Sequence, residues 1–319
     1  MGTTYSVKYR GPIEISEREV RQQVEEALAE VNNQMSTYLP DSELSQFNNS
    51  HSLEPQEVSP ATAYVVQQAV AIHEKTRGAL DVTVGPLVRL WKLNDPRSSA
   101  LELSDQEIAK TRAMTGIEKV TVTTSPTTLS KKIPELEIDL SAIAKGYGVD
   151  RVCEVLTQLS LENFMVEIGG EVRTLGTKSA EADWRIGVES PQQARRELSW
   201  IVPLKDLALA SSGDYRNFRG TGENAYTHIL DPRTGRPLPY RGVAVTVVAE
   251  TCLEADALAT ALVVMGENEG YLWCEEHDTA ALFQTTDSKG AISERATPLF
   301  EKLNPRRPRQ ASTTSSVQN

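Results

Sequence analysis

Apolar side chains recur at Val20, Val24, Leu28, Val31 and Met35, the spacing of one face of an α-helix. Ser16 followed by Glu19 makes a capping box, so residues 17–35 are predicted to be an amphipathic helix. Ahead of it, Tyr5, Val7 and Tyr9 alternate with polar neighbours and predict a strand within residues 1–10. A second helix opens at Ser59-Pro60, with proline at its first position. Its buried stripe is Val66, Ala69, Val70 and His73, and Gly78 ends it. Residues 95–100 read as a loop, residues 104–115 as a short helix, and the neighbourhood of Val120 and Val122 as a strand.

In the second half, Ile138 to Leu140 reads as the end of a strand, and Ser141 leads into a helix carrying Ile143, Val152, Leu156 and Leu159. Phe164 to Ile168 is a strand stopped by Gly169-Gly170, and strands are expected near 184–189, 199–203 and 226–230. The β-branched run Val243 to Val248 is another strand. Thr251 with Glu254 forms a second capping box for a helix running to Met265. A helix over 267–277 and a last strand from Ala280 to Gln284 follow. From Pro305 the chain is rich in Pro, Arg, Ser, Thr and Gln, which predicts a disordered tail over 305–319 behind one ordered domain, 1–304. Strands and helices alternate without a βαβ rhythm, and no internal repeat occurs, so the fold class is α+β with mixed or antiparallel sheets.

Composition narrows the function. With 33 basic and 44 acidic residues the net charge is −11, which argues against nucleic acid as a partner. The most apolar run, Gly242 to Gly266, is interrupted by Glu250, Glu254 and Asp256, so no transmembrane span is expected. Cys153, Cys252 and Cys274 form no C-x-x-C pair and read as buried thiols. The common nucleotide and hydrolase signatures are missing; Gly146-Tyr147-Gly148 is only a fragment of a dinucleotide fingerprint.

Four places carry candidate chemistry. Asp256 and Thr260 lie one helical turn apart on one face, near the positive end of the helix dipole. Together they offer two hard oxygen donors to a cation such as Mg²⁺; the alternative is a carboxylate that supports the helix start and a hydroxyl that packs. The stretch from Asp139 to Tyr147 is a strand end turning into a glycine-containing helix start. Such a corner binds phosphate, with Lys145 adding charge, or is merely an Asp or Ser cap beside a solvated lysine. His228 precedes the Asp-Pro-Arg-Thr-Gly turn, where a neutral imidazole takes a proton from a hydroxyl or simply bonds backbone. His73, in a helical stripe, reads as a satisfied core histidine. Tyr38, just past the first helix, suits stacking on a flat ring, and Asp81 suits a ribose or base edge; both residue types are more often structural.

The segments MGTTYSV, STYLPDSELSQFN, ALDVTVGPLVRLW, IDLSAIAKGYGVD, VEIGGEVRTLG, ALASSGDYRNF, THILDPRTG and EADALATAL occur in this order between Met1 and about Gly266. Together they resemble the FAD:protein FMN transferases, the ApbE-type flavin transferases. The resemblance implies an α+β fold with a cleft for FAD between lobes. It implies a Mg²⁺-dependent reaction that splits FAD at its diphosphate, transfers FMN to a Thr or Ser hydroxyl of a target flavoprotein, and releases AMP. It also implies that the targets are subunits of membrane redox complexes.

Carried over residue by residue, the resemblance implies that Asp256, Thr260 and the backbone carbonyl of Ala142 hold the metal. Met1, Tyr38, Ala79, Leu80 and Asp81 match FAD contacts, Asp139, Lys145 and Leu230 line the same cleft, and His228 matches the base. At the Lys145 position some relatives carry Glu, and Glu167 stands where relatives often have Asn or Asp. Relatives are commonly lipoproteins on the periplasmic face of the inner membrane, with the signal and anchor ahead of the motif methionine. The expected location is therefore periplasmic for a longer form, and cytoplasmic if Met1 is the native start. Two other functions use the same residues: a Mg²⁺-dependent FAD pyrophosphatase giving FMN and AMP, and a non-catalytic flavin-binding protein.

Overall fold

A computed structural model of the chain describes residues 2–11, 15–95, 97–191, 197–214, 218–220, 225–287 and 291–308. The first part comprises β1 (Tyr5–Arg10), α1 (Glu17–Met35), α2 (Glu43–Asn49), β2 (Gln56–Glu57), α3 (Pro60–Lys75), α4 (Gly85–Leu90), α5 (Asp105–Arg112), β3 (Val120–Thr124) and β4 (Thr127–Lys131). The middle holds α6 (Ala144–Gln158), β5 (Asn163–Ile168), β6 (Glu171–Leu175), β7 (Trp184–Glu189), β8 (Leu198–Leu204) and β9 (Ala208–Gly213). The last part holds β10 (Phe218–Arg219), β11 (Tyr226–Asp231), β12 (Arg236–Pro239), β13 (Val243–Ala249), α7 (Cys252–Glu276), β14 (Ala280–Thr286), β15 (Ile292–Ala296) and α8 (Pro298–Lys302).

Seven strands form the main sheet in the order β1-β5-β6-β9-β13-β14-β15, every pair antiparallel. Three small sheets flank it: β10-β11-β12, β2-β4-β3 and the β7-β8 hairpin. The expected α+β class holds. Strand β13 shows why its sequence does not alternate: Val245 and Val247 face the core that contains α7, while Val248 faces the hairpin side with Val202 and Phe300. Both faces are covered, so both carry apolar side chains. On the β5 side, Val20 and Val24 of α1 pack with Val149 and Val152 of α6 over Phe164 and Val166.

From Cys252 to Met265, α7 is buried on nearly every side. That suits its Ala-, Leu- and Val-rich sequence and makes any charge on it conspicuous. Gly266 (φ +77°) breaks the element, so the two helices expected on either side of it are present and abut end to end. Among the described residues no helix is long and apolar enough to cross a membrane.

The structure corrects several expectations. Ile138 to Leu140 forms no ladder of its own. The Asn48 amide instead donates to Ile138 O and accepts from Ile138 N, both at 2.8 Å, and Asp139 N donates to Val82 O at 2.7 Å. A side chain thus replaces a neighbouring strand. The strand ending at Gln284 is not the last, because β15 and α8 follow. Helices α2 and α4, of seven and six residues, were not expected from the pattern. Pro305 to Pro308 are held in place: Arg306 exchanges backbone hydrogen bonds with Ile201, and Arg307 stacks 3.9 Å over Trp200 and pairs with Glu294. The remainder of the tail, 309–319, lies outside the described residues, as does Met1.

Candidate functional site

The centre of the site is the crossing of α6 and α7. Only glycine permits it: a Cβ on Gly146 would lie 2.2 Å from Cys252 O and 2.8 Å from Leu253 Cα. One turn further along α6, the buried Asp150 carboxylate accepts from Cys252 N at 3.0 Å and Leu253 N at 2.9 Å, filling the first turn of α7. Burial raises the Asp150 pKa, against the opposing pull of Arg173, 2.6 Å away, and of the two N–H donors. Thr251 Oγ1 accepts from Glu254 N and completes the cap.

This clamp aims Asp256. The residue is only 5% exposed, within a stretch from Cys252 to Met265 whose other residues are apolar apart from Glu254 and Thr260. Its Oδ2 accepts from Gly146 N at 2.9 Å, and its Oδ1 lies 3.2 Å from Lys145 Nζ. The same ammonium is 2.7 Å from Glu171 Oε1. Burial alone would lower the Lys145 pKa, but Asp256 and Glu171 together outweigh it and hold it above the ordinary value. Glu171 is 4% exposed and its Oε2 has no hydrogen-bond partner among the described residues. Burial pushes the Glu171 pKa well up, with Lys145 opposing. Glu171 begins β6 directly after the Gly169-Gly170 turn, whose positive φ values (+67° and +110°) make the two-residue hairpin with β5. Glu167, on the same hairpin, accepts from Gly170 N at 2.8 Å and so serves the turn.

The other candidates reach this point from three directions. The Asp139 carboxylate accepts from Ser141 N at 2.9 Å and shapes the corner into α6. Asp81 Oδ1 accepts from Thr83 N and Thr83 Oγ1 at 2.7 and 2.6 Å, which leaves Oδ2 3.6 Å from His73 Nδ1. The Nδ1–H of half-buried His73 donates to Leu80 O at 2.8 Å, so His73 is the satisfied histidine its stripe predicted. His228 sits on β11, exposed, where the pairing with β12 shifts register between Tyr226 and Leu230. Thr227 Oγ1 pins that irregularity, accepting from Ile229 N at 3.0 Å and donating to Ile229 O at 3.2 Å. A bulge of this kind re-aims a side chain at a strand end.

Ala79, Leu80, Asp81, Asp139, Ala142, Lys145, His228, Leu230, Asp256 and Thr260 all line one cavity of about 340 Å³. Tyr38, 75% exposed, lies instead on two adjoining cavities of about 640 and 660 Å³. Asp139 borders all three, so the cleft branches at that residue. Two contributors, Glu171 and Asp150, escape notice in the sequence, and Gly146 is read there only as part of a helix start, not as the residue that permits the crossing. The available signal for Glu171 is an acid placed directly after a Gly-Gly turn at the start of a buried strand.

Residues 1–283 match the model of the ApbE family. Among curated proteins, the chain is 46% identical over 283 residues to the FAD:protein FMN transferase of Vibrio cholerae, covering 88% of this chain and 84% of the relative. It is 38% identical over 309 residues to the protein of the same name from Haemophilus influenzae, covering 95% and 89%. Among solved structures, the flavin transferase ApbE of Vibrio cholerae superposes with a TM-score of 0.84 at 44% identity, over 95% of this chain and 96% of that one.

Proposed function

The chain belongs to the ApbE family, and from that membership and the cleft we propose that it is an FAD:protein FMN transferase. In this reading the acceptor is a Thr or Ser hydroxyl on a flavoprotein subunit of a membrane redox complex. Its oxygen attacks the FMN phosphorus, the diphosphate bridge breaks, AMP leaves, and a phosphoester joins FMN to the acceptor. The single observation that carries the reading is Asp256. A carboxylate held in a buried helix is costly unless something is gained there, and this one opens into the same cavity as His228.

The donor chemistry fits a magnesium ion. Asp256, Thr260 and the Ala142 carbonyl would hold it, all hard oxygen donors on one cavity wall, beside a buried Glu171 oxygen that has no partner among the described residues. Among the described residues no three His, Cys, Asp or Glu side chains gather as a closed cage. That suits an ion which leaves most positions to phosphate and water. When bound, Mg²⁺ would neutralise charge on the diphosphate oxygens.

The chain's own residues do the rest. The branched cleft accommodates a two-part substrate, with Tyr38 offering a ring face on the rim and Asp81 Oδ2 a hydrogen-bond acceptor deeper in. The corner at Asp139 presents the start of α6 where the two parts join. Exposed His228 receives the proton of the incoming hydroxyl, a contribution of roughly 10²–10⁴-fold. The test is mass spectrometry of a candidate flavoprotein after incubation with FAD and Mg²⁺. An FMN phosphoester formed by the native chain and not by Asp256→Ala is the expected result. Free FMN released at one rate with or without acceptor would assign a pyrophosphatase instead. In His228→Ala, transfer should fall by about 10²–10⁴-fold while FAD affinity holds.

A further inference from the structure

Asp256 has one oxygen to spare, and that oxygen is taken. Oδ2 is committed to Gly146 N, a backbone donor fixed by the helix crossing. Oδ1 is the atom left for a cation, and Lys145 Nζ lies 3.2 Å from it. An ammonium and a divalent ion cannot both sit against one carboxylate oxygen without repelling each other. Lys145 also has a second seat. Glu171 Oε1 is 2.7 Å from Nζ, and Glu171 Oε2 is buried with no hydrogen-bond partner among the described residues. An ammonium carries three donors, so Glu171 can take a second one if Lys145 releases Asp256. The carboxylate to which Lys145 would move is 5% exposed, so it gains more from an added donor than a solvated one would.

Resting on the reading that Asp256 holds the cation, we propose that Lys145 is a built-in placeholder for that ion. Glu171 is the positioning residue that takes the ammonium over when the ion arrives. Without the ion, Lys145 shields two buried carboxylates from each other. With it, the lysine turns wholly to Glu171 and Asp256 Oδ1 becomes free. Glu171 thereby sets cation affinity through Lys145, without being a ligand itself.

The test is calorimetric titration of the full chain with MgCl₂ in the absence of FAD, so no turnover is read. Lys145→Met should bind Mg²⁺ about tenfold more tightly, and Glu171→Gln about tenfold more weakly. The deciding measurement is the double variant. Once Lys145 is gone there is nothing for Glu171 to hold, so adding Glu171→Gln to Lys145→Met should change affinity by no more than about twofold. An equal loss in both backgrounds would make Glu171 a ligand or a plain charge and overturn the proposal. So would Lys145→Met binding no tighter than the native chain. Should Lys145→Met fail to fold, Lys145→Gln takes its place in the same cycle, and unchanged or tighter Mg²⁺ binding by Glu171→Gln overturns the idea in either case. Asp256→Asn separates the two layers, because native-like binding in that variant would sink the cation site itself and not merely the placeholder.

Discussion

Replacing Gly146 by alanine probes the crossing on which the site depends. The added methyl would meet Cys252 O at 2.2 Å, Cys252 C at 2.6 Å and Leu253 Cα at 2.8 Å, all backbone and none able to swing aside. Restoring ordinary contact requires α6 and α7 to part by about 1 Å. Overpacking of this kind costs about 1–3 kcal/mol. Parting also stretches the 2.9 Å bond from Gly146 N to Asp256 and the two bonds from α7 to Asp150, and weakening bonds to charged groups costs roughly 1.5–3 kcal/mol. Alanine returns at most about 1 kcal/mol in helix propensity. The expected net loss is therefore about 1.5–5 kcal/mol. At this chain length the unfolding entropy makes that a fall of roughly 2–8 °C in Tm. Scanning calorimetry gives the Tm, and Mg²⁺ titration of the same sample should show weakened binding. A variant that melts at or above the native temperature and binds Mg²⁺ normally would refute the packed crossing and the aim of Asp256 derived from it.

Thr227→Val keeps side-chain shape but strips both hydrogen bonds from Ile229, and should cost about 1–3 kcal/mol and lower kcat for flavin transfer while leaving KM for FAD unchanged. A loss confined to KM would contradict the role given to the β11 irregularity. Asn48→Ala leaves the fully buried Ile138 with an unsatisfied N–H and C=O, and urea denaturation should show a loss of about 2–4 kcal/mol. All three thiols are buried, and burial raises their pKa values, Cys274 up to about 12. The thiolate fraction at pH 8 is thereby suppressed, so a thiol reagent such as DTNB should find none reactive in the folded chain and all three in denaturant.

Periodicity reveals elements long enough to repeat it. Helices α1 and α3 span several turns with a serine cap each, and their bounds are readable from residue spacing. The short α2 and α4 complete at most two turns, too few for a stripe to stand out. Ile138 to Leu140 is apolar like a strand, yet its hydrogen-bonding partner is the amide of Asn48, ninety residues away, and spacing cannot announce such a pairing. Arg306 and Arg307 have a disordered composition but find Ile201, Trp200 and Glu294. In the site, Asp256 and Thr260 are legible because two oxygen donors four residues apart fall on one face of a helix near its start. Glu171 and Asp150 act across elements, and their significance exists only where β6 and α7 meet α6.

The main sheet joins Tyr5 to Ile168, and Asp256 must reach back across α6 to Gly146. Pairings this distant in sequence make folding slow, because loop closure comes before any reward. As the polypeptide leaves the ribosome, β1 has no partner until β5 emerges, and the cleft has no floor until α7 follows. A nascent chain stalled before Asp256 would thus expose an incomplete sheet and a bare face of α6, the stage at which a chaperone would matter most.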